Sequence, residues 1–275
     1  MIPASFLANS RNNRVPPLGA ILAMNPSAMY DVWNSVMYQD ATKTVLADAN
    51  ADPVWVICDV SGSAPDLKAG ALAECAAYTI SGSNRYLSFA GGDYYTLTWV
   101  LTQAAVNNLH NGVGGECISL FQCGTGSNPN AQYCLLSTCE NSTHVGFQLY
   151  FNDLTASAKN NRVEYSSYDG TAPAALTFTS SDNALTANAS KVIGLVLDDA
   201  ASSDLKIYVD GSLAGSGNKS SAFSTSNRTN HLRLGATAWG NNTLTGRWGG
   251  SVFFSRVLSD YERSVVVRYF LAKAW

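Results

Sequence analysis

Charge is what this chain has least of. Asp, Glu, Lys and Arg make up 13% of its 275 residues, about half the share usual for a soluble domain. The 17 Lys and Arg residues are scattered, so no dense basic face forms and nucleic acid is excluded as a partner. Apolar runs stay well under the ~18 residues of a membrane span, which excludes a membrane-crossing helix. The opening MIPASFLANSRNNRVPP has no charged start followed by an apolar core, so it does not read as a secretory leader. The expectation from that opening is synthesis in the cytoplasm. No Cys-x-x-Cys pair occurs and the three histidines are far apart, which argues against zinc. Phosphate-loop and Gly-x-Ser-x-Gly signatures are also missing. No signal for catalysis is left, and the chain reads as a non-enzyme.

Ser, Thr, Asn and Gly fill the space that charge leaves, and 46% of the residues are hydrophobic. That balance supports a large core under polar turns. Alternating segments read as strands at Thr96–Thr102, Ile118–Gln122, Tyr133–Ser137, Val145–Phe151, Arg162–Tyr168 and Lys191–Leu197. Val192 to Leu197 is almost continuously apolar, as in a strand covered on both faces. Leu205, Ile207 and Val209 alternate with Lys206 and Tyr208, and Asp210-Gly211 supplies the positive-φ pair of a tight hairpin. Leu232 and Leu234 mark another strand, and residues 249–256 a third. Ser259 and Glu262 then stand at capping-box spacing before a stripe of Val265, Val266, Tyr269 and Phe270. Many short strands and one closing helix predict an all-β fold: a two-sheet antiparallel β-sandwich with a short C-terminal helix. No repeat of 20–50 residues is visible.

Residues 1–25 differ from the rest. They read either as a disordered tail or as an extended arm docking on a neighbouring subunit through Phe6, Leu7, Leu18 and Ile21, with Arg11 and Arg14 between them. Residues 26–275 form the sandwich domain. The six cysteines read as buried thiols, with Cys117–Cys123 or Cys134–Cys139 as disulfides if the chain meets an oxidising medium.

The closing run of YVDG hairpin, L-x-L-G strand and LSDYER helix (Tyr208 to Arg263) resembles the end of a concanavalin A-like lectin/glucanase, or laminin G-like, domain. The resemblance implies a jelly roll of that type. A second set of residues is similar to a pattern in virion proteins of tailed bacteriophages: Ala28 to Asp31, Tyr38 to Asp40, Asp52 to Val54, Asp59 to Gly62, and Tyr86 to Asp93. It departs from that pattern at Ala90, where an Asp is usual. This resemblance implies a virion protein on the particle exterior, as a capsid decoration or a tail or fibre component. Its partners would be other virion subunits, copies of itself as a homo-oligomer, in all expectation a trimer, and a host-surface glycan. A carbohydrate-binding lectin devoted to host recognition and a glycan-degrading enzyme are the alternatives.

Glycanases of this fold carry two carboxylates close together on one strand. The five glutamates here, Glu74, Glu116, Glu140, Glu164 and Glu262, are all far apart in sequence. Jelly-roll lyases use an Arg/His/Gln/Tyr set, which His144, Gln148, Tyr150 and Tyr165 match only loosely. For glycan binding the candidates are Trp239 with Asn241 and Asn242, and Tyr94 with Tyr95 at a strand start; the same aromatics would equally staple loops. The chain needs no cofactor. Calcium is the one ion the fold would accommodate, at Asp93 with Asp153, or at Asp169 and Asp182, where the Asp residues would otherwise cap turns.

Overall fold

A computed structural model describes residues 15–91, 95–97, 109, 114–123, 130–139, 145–154, 159–169, 176–181, 183–186, 188–198, 205–217, 232–237 and 243–275. Two antiparallel sheets face each other. The first runs in the order β15 (Ser212–Gly217), β14 (Leu205–Val209), β13 (Ser190–Leu197), β8 (Gly115–Cys123), β17 (Thr245–Phe254), β6 (Asn84–Ala90) and β5 (Ala77–Ser81). β1 (Ala28–Asp31) also pairs with β17, alongside β6. The second sheet runs β12 (Leu176–Thr179), β11 (Lys159–Asp169), β10 (Val145–Leu154), β9 (Asn130–Ser137), β16 (Arg233–Leu234), β7 (Tyr95–Leu97), β4 (Leu67–Lys68), β3 (Val56–Ile57) and β2 (Met37–Tyr38).

The alternation in sequence becomes the two sides of each sheet. Phe147, Leu149 and Phe151 of β10 meet Ile193, Leu195 and Leu197 of β13 in one core between the sheets, with Trp248 and Tyr165 fully buried there. Val192 of β13 and Ile118 and Leu120 of β8 face the other way, into a second cluster. The helix α2 (Asp260–Leu271) lies over that outer face. Its Val265, Val266, Tyr269 and Phe270 are all buried, as the stripe predicts, and full burial of such a side chain contributes ~1.5–3 kcal/mol. The capping box forms as expected: Ser259 Oγ accepts from the Glu262 amide at 3.3 Å, and the Ser259 amide donates to Glu262 Oε2 at 2.9 Å. The hairpin also forms, with φ +52° at Asp210 and +82° at Gly211. Among the described residues, no helix is long and apolar enough to cross a membrane.

Two expectations change. Residues 18–22 are not extended: they form the helical turn α1 (Leu18–Leu22), and Ile21 is fully buried in the cluster that α2 seals. The part of the arm within the described residues therefore docks on its own chain. Phe6, Leu7, Arg11 and Arg14 lie outside those residues. Cys117 and Cys123 sit on one strand, β8, six residues apart; at ~3.3 Å per residue that is about 20 Å, far beyond the reach of a disulfide. None of the six cysteines is joined in a disulfide in this structure. Burial pushes the Cys117 thiol up to about 12 and lifts those of Cys123 and Cys134 well above their ordinary value.

Candidate functional site

The second sheet has an apolar inner side and a polar outer side, and strand register decides which residues meet on the outer one. Residues opposite each other in an antiparallel pair point the same way. Following the pairs from β12 to β4 gives one row: Thr177 opposite Ser166, Ser166 opposite Gln148, Gln148 opposite Ser137, Ser137 opposite Arg233, and, across the β7 backbone at position 96, Arg233 in line with Lys68. Six strands thus supply polar residues to one line. A second row holds Thr179, Glu164, Tyr150 and Cys134, and a third, across the backbone of β10, Arg162 and Gln132.

The middle of this face is closed to water. Gln148 is 0%, Tyr150 5% and Glu164 5% exposed. The side chains there bond along their own strands: Tyr150 Oη donates to Gln148 Oε1, and Ser166 Oγ to Glu164 Oε1 at 3.5 Å. Burying polar groups is tolerable only where they find partners, and such a network holds its members in fixed positions. Around this centre the face is open. Thr177 is exposed, and Gln132, Arg162, Arg233 and Lys68 are half-exposed. Arg233 is steered by a bond from its Nη1 to the Thr237 carbonyl at 3.2 Å, and its charge acts on Cys134 in the second row. The face therefore has a buried polar centre, with three half-buried cations, Lys68, Arg162 and Arg233, around it. Glu164 is the sole carboxylate in these rows among the described residues.

Few of the residues singled out by sequence lie here. Tyr95 is in β7 and Asp153 in β10, where their backbone alone is described. Trp239, Asn241, Asn242, Asp93 and Tyr94 lie outside the described residues, as do His144 and Asp182. Among the described residues, no three His, Cys, Asp or Glu side chains gather as a metal set would. Of the lyase-like set, Gln148 and Tyr150 share the polar face. Tyr165 is in the core instead, its hydroxyl donating to the Leu109 carbonyl at 2.9 Å. Arg162, Arg233 and Lys68 are not singled out as site residues in the sequence, and Glu164 is weighed there only as one of five scattered glutamates. The alternation Arg162-Val163-Glu164-Tyr165-Ser166 was the available signal, since it puts three polar residues on one side of β11.

The carboxylates of the second sequence pattern have structural work. Asp59 accepts from the amides of Met29 (2.7 Å), Ser63 (2.8 Å) and Ala64 (3.1 Å) and from the Ser61 hydroxyl at 2.7 Å. Asp40 accepts from the amides of Thr44 and Val45, at 2.9 and 2.8 Å, and Asp52 from those of Asp48 and Ala49, at 3.1 and 2.8 Å. Each closes a turn. Asp31 is buried and gathers Tyr269 Oη, Asn34 Nδ2 at 2.5 Å and Lys273 Nζ at 3.0 Å, binding β1 to the far end of α2. Burial and the Asp31 charge push the Tyr269 hydroxyl well above its usual range, and burial holds the Lys273 ammonium below its own.

A profile described as the concanavalin A-like lectin/glucanases superfamily matches residues 123–262, just over half of the chain. Comparison with curated proteins gives no match. Among solved structures, the chain is similar to the CBM40 module of the Ruminococcus gnavus IT-sialidase, with 19% identity, a TM-score of 0.52 and coverage of 66% of this chain and 96% of that one. The same module bound to α2,3-sialyllactose gives 20% identity, a TM-score of 0.51 and the same coverage. The Trypanosoma rangeli sialidase in complex with the inhibitor DANA gives 15% identity and a TM-score of 0.51; the match covers 87% of this chain and 32% of that one. At these identities the likeness is one of fold.

Proposed function

This chain belongs to the concanavalin A-like lectin/glucanases superfamily, and from that premise we propose that it is a non-enzymatic carbohydrate-binding protein whose ligand is an acidic glycan. The observation that carries the reading is the polar outer face of the second sheet. Lys68, Arg162 and Arg233 stand half-exposed at the rim of a floor fixed by Gln148, Tyr150 and Glu164. Guanidinium groups bind carboxylates through paired, charge-assisted hydrogen bonds, and a preset floor lowers the ordering cost of binding. The R. gnavus module, solved with sialyllactose bound, supports the reading by analogy of fold. Most glycosidases set two carboxylates across the sugar, and among the described residues these rows carry Glu164 alone.

The test is a glycan array probed with the purified chain, followed by calorimetry on the glycans retained. Binding of carboxylate-bearing glycans, weakened about tenfold or more by Arg162→Ala or Arg233→Ala, is expected from the loss of one charge-assisted contact. An array without retained acidic glycans, or variants that bind as the parent does, would overturn it. Release of an unsaturated uronate from a polyuronate would replace binding with lyase chemistry, in which Tyr150 and Gln148 would be the residues to mutate.

We further propose that the protein works on the exterior of a bacteriophage particle, as a decoration or as a tail component, and in oligomeric form. The support is the pattern spanning Ala28–Asp31, Tyr38–Asp40, Asp52–Val54, Asp59–Gly62 and Tyr86–Asp93. Cryo-electron microscopy of a particle containing the chain tests it: sandwich-shaped density on the outer surface is expected, and its absence there would refute it.

A further inference from the structure

The outer face of the first sheet carries a feature that neither the core nor the polar face of the second sheet uses. Where α2 ends, three aromatic rings lie over β17 and β6. Trp33 and Trp275 stack with centroids 6.1 Å apart and planes 28° apart, and Tyr86 meets Trp275 at 4.9 Å. Gly249 makes this arrangement fit. A Cβ there would stand 2.9 Å from a ring atom of each tryptophan and 2.7 Å from Leu120. With hydrogen at that position, both indoles settle onto the sheet, and both remain half-exposed.

Beside these rings, Arg247 lies with its guanidinium carbon 4.4 Å from the centre of Tyr86. Register places it opposite Ser88 on one side and Gln122 on the other. The indole N–H of Trp275 is engaged, donating to Gln122 Oε1 at 2.8 Å. By contrast, neither the Arg247 guanidinium nor the Trp33 indole N–H makes a hydrogen bond among the described residues, and Arg247 has no ion pair there. Rings that only seal a sheet leave no reason for a half-exposed guanidinium stacked beside them with its donors unspent. Lys273, 4.8 Å from the Trp33 ring, is the other cation, and Asp31 already neutralises it.

We propose that Trp33, Trp275, Tyr86 and Arg247 form a second carbohydrate site, separate from the polar face of the second sheet, for a pyranose bearing a carboxylate. The apolar face of the sugar ring lies on the indoles, which offer a large rigid surface at little entropic cost. The carboxylate pairs with the Arg247 fork, which Tyr86 holds flat. Trp33 Nε1 supplies a further donor to a ring hydroxyl.

The test uses tetragalacturonate and its fully methyl-esterified form as probes, followed by the indole N–H resonances of Trp33 and Trp275 and by calorimetry. Tetragalacturonate should shift both indole resonances. Arg247→Ala should weaken that binding about tenfold or more while leaving the ester within about twofold, and Arg247→Lys should restore it only in part. Thermal melting of each variant controls for folding, and Trp33→Phe, which keeps an aromatic ring, should weaken both probes alike. Arg162→Ala and Arg233→Ala, on the other sheet, should leave these shifts unchanged, so this site and the one proposed above stand or fall separately. Indole resonances that stay still up to ~10 mM probe, or shifts abolished by Arg233→Ala but not by Arg247→Ala, would overturn the proposal.

Discussion

Replacing Arg263 by Ala should be among the most damaging single changes to stability in this protein. Arg263 projects from the first turn of α2 into the sheet, where Nε and Nη2 donate to the two oxygens of Glu116 at 2.6 and 3.0 Å. Glu116 is 0% exposed and the Arg263 side chain 7%. Glu116 also accepts from the Leu258 amide at 3.0 Å, and Arg263 donates to the Leu258 carbonyl at 2.9 Å, so the pair clamps the turn between β17 and α2. The guanidinium further lies 4.7 Å from the centre of the Tyr208 ring. Truncation leaves a carboxylate in a water-free site with one hydrogen bond, and breaking a buried pair in this way costs ~3–5 kcal/mol. With a urea m-value of ~3 kcal/mol/M, the midpoint should fall by roughly 1–1.7 M. The double variant Glu116→Leu/Arg263→Met should recover most of the loss, because two apolar side chains of similar size need no partner. Recovery stays incomplete, since the Leu258 amide is left without its acceptor, at ~1–3 kcal/mol. Urea unfolding followed by tryptophan emission measures Arg263→Ala and the cycle of parent, Glu116→Leu, Arg263→Met and the double variant. Arg263→Ala within ~1 kcal/mol of the parent, or a double variant as unstable as the summed singles, would refute the reasoning.

Three further outcomes follow from local geometry. Gly211→Ala should cost ~1–2 kcal/mol in thermal melting, because φ is +82° and the added carbon would press on Val267 at 3.3 Å. Glu262 is held at about 2, below its ordinary 4.5, chiefly by Arg256 and then by the Ser259 amide; its support for α2 is therefore full above pH ~4.5 and lost as pH falls toward 2. Carboxyl NMR should find Glu262 moved back toward its ordinary value in Arg256→Ala, and no movement would reject the assignment. Tyr269→Phe should cost ~1–3 kcal/mol, since it removes the Asp31 hydrogen bond inside a buried cluster; equal stability in calorimetry would deny the cluster its role.

What could be read from the sequence was local. Asp210-Gly211 and the Ser259–Glu262 box specify their turns within four residues, and β8, β9, β10, β11 and β13 show themselves by alternation, whereas the four-residue β12 does not. Three of their observed ends coincide with the expected ones and the others run one to three residues beyond, because pairing with a neighbour extends a strand past its apolar positions. The sites were hidden because they are long-range. Glu116 and Arg263 are 147 residues apart, and Asp31 and Tyr269 are 238 apart. The polar row from Thr177 to Lys68 exists only once β9, β16, β7 and β4 are placed side by side. Val145-Gly-Phe-Gln-Leu-Tyr-Phe reads as ordinary strand; that Gln148 and Tyr150 face Glu164 and Ser166 is a fact of register. Arg247 and Trp33 stand far apart in sequence and share no pattern.

The Asp-rich segment 31–66 shows how a sequence pattern can mark structure where it suggests a site. The second sheet depends there on β2, β3 and β4, each of two residues, and strands so short cannot hold themselves together by ladder bonds. The turns between them supply the order, and carboxylates supply the turns. Asp59 is the clearest case: with one oxygen it holds Met29 of β1, and with the other the Ser63 and Ala64 amides. It thereby ties the first sheet to the loop that leads into β4. All of these partners donate, so the position needs two accepting oxygens. Asn offers only one, and its amide would face the Ser63 and Ala64 N–H groups donor to donor. Asp59→Asn should therefore cost ~1–3 kcal/mol, nearly as much as Asp59→Ala. Urea midpoints of the two variants check this. If the Asn protein is within ~0.5 kcal/mol of the parent, the carboxylate is not what closes the turn, and the pattern would have to be read as a site after all.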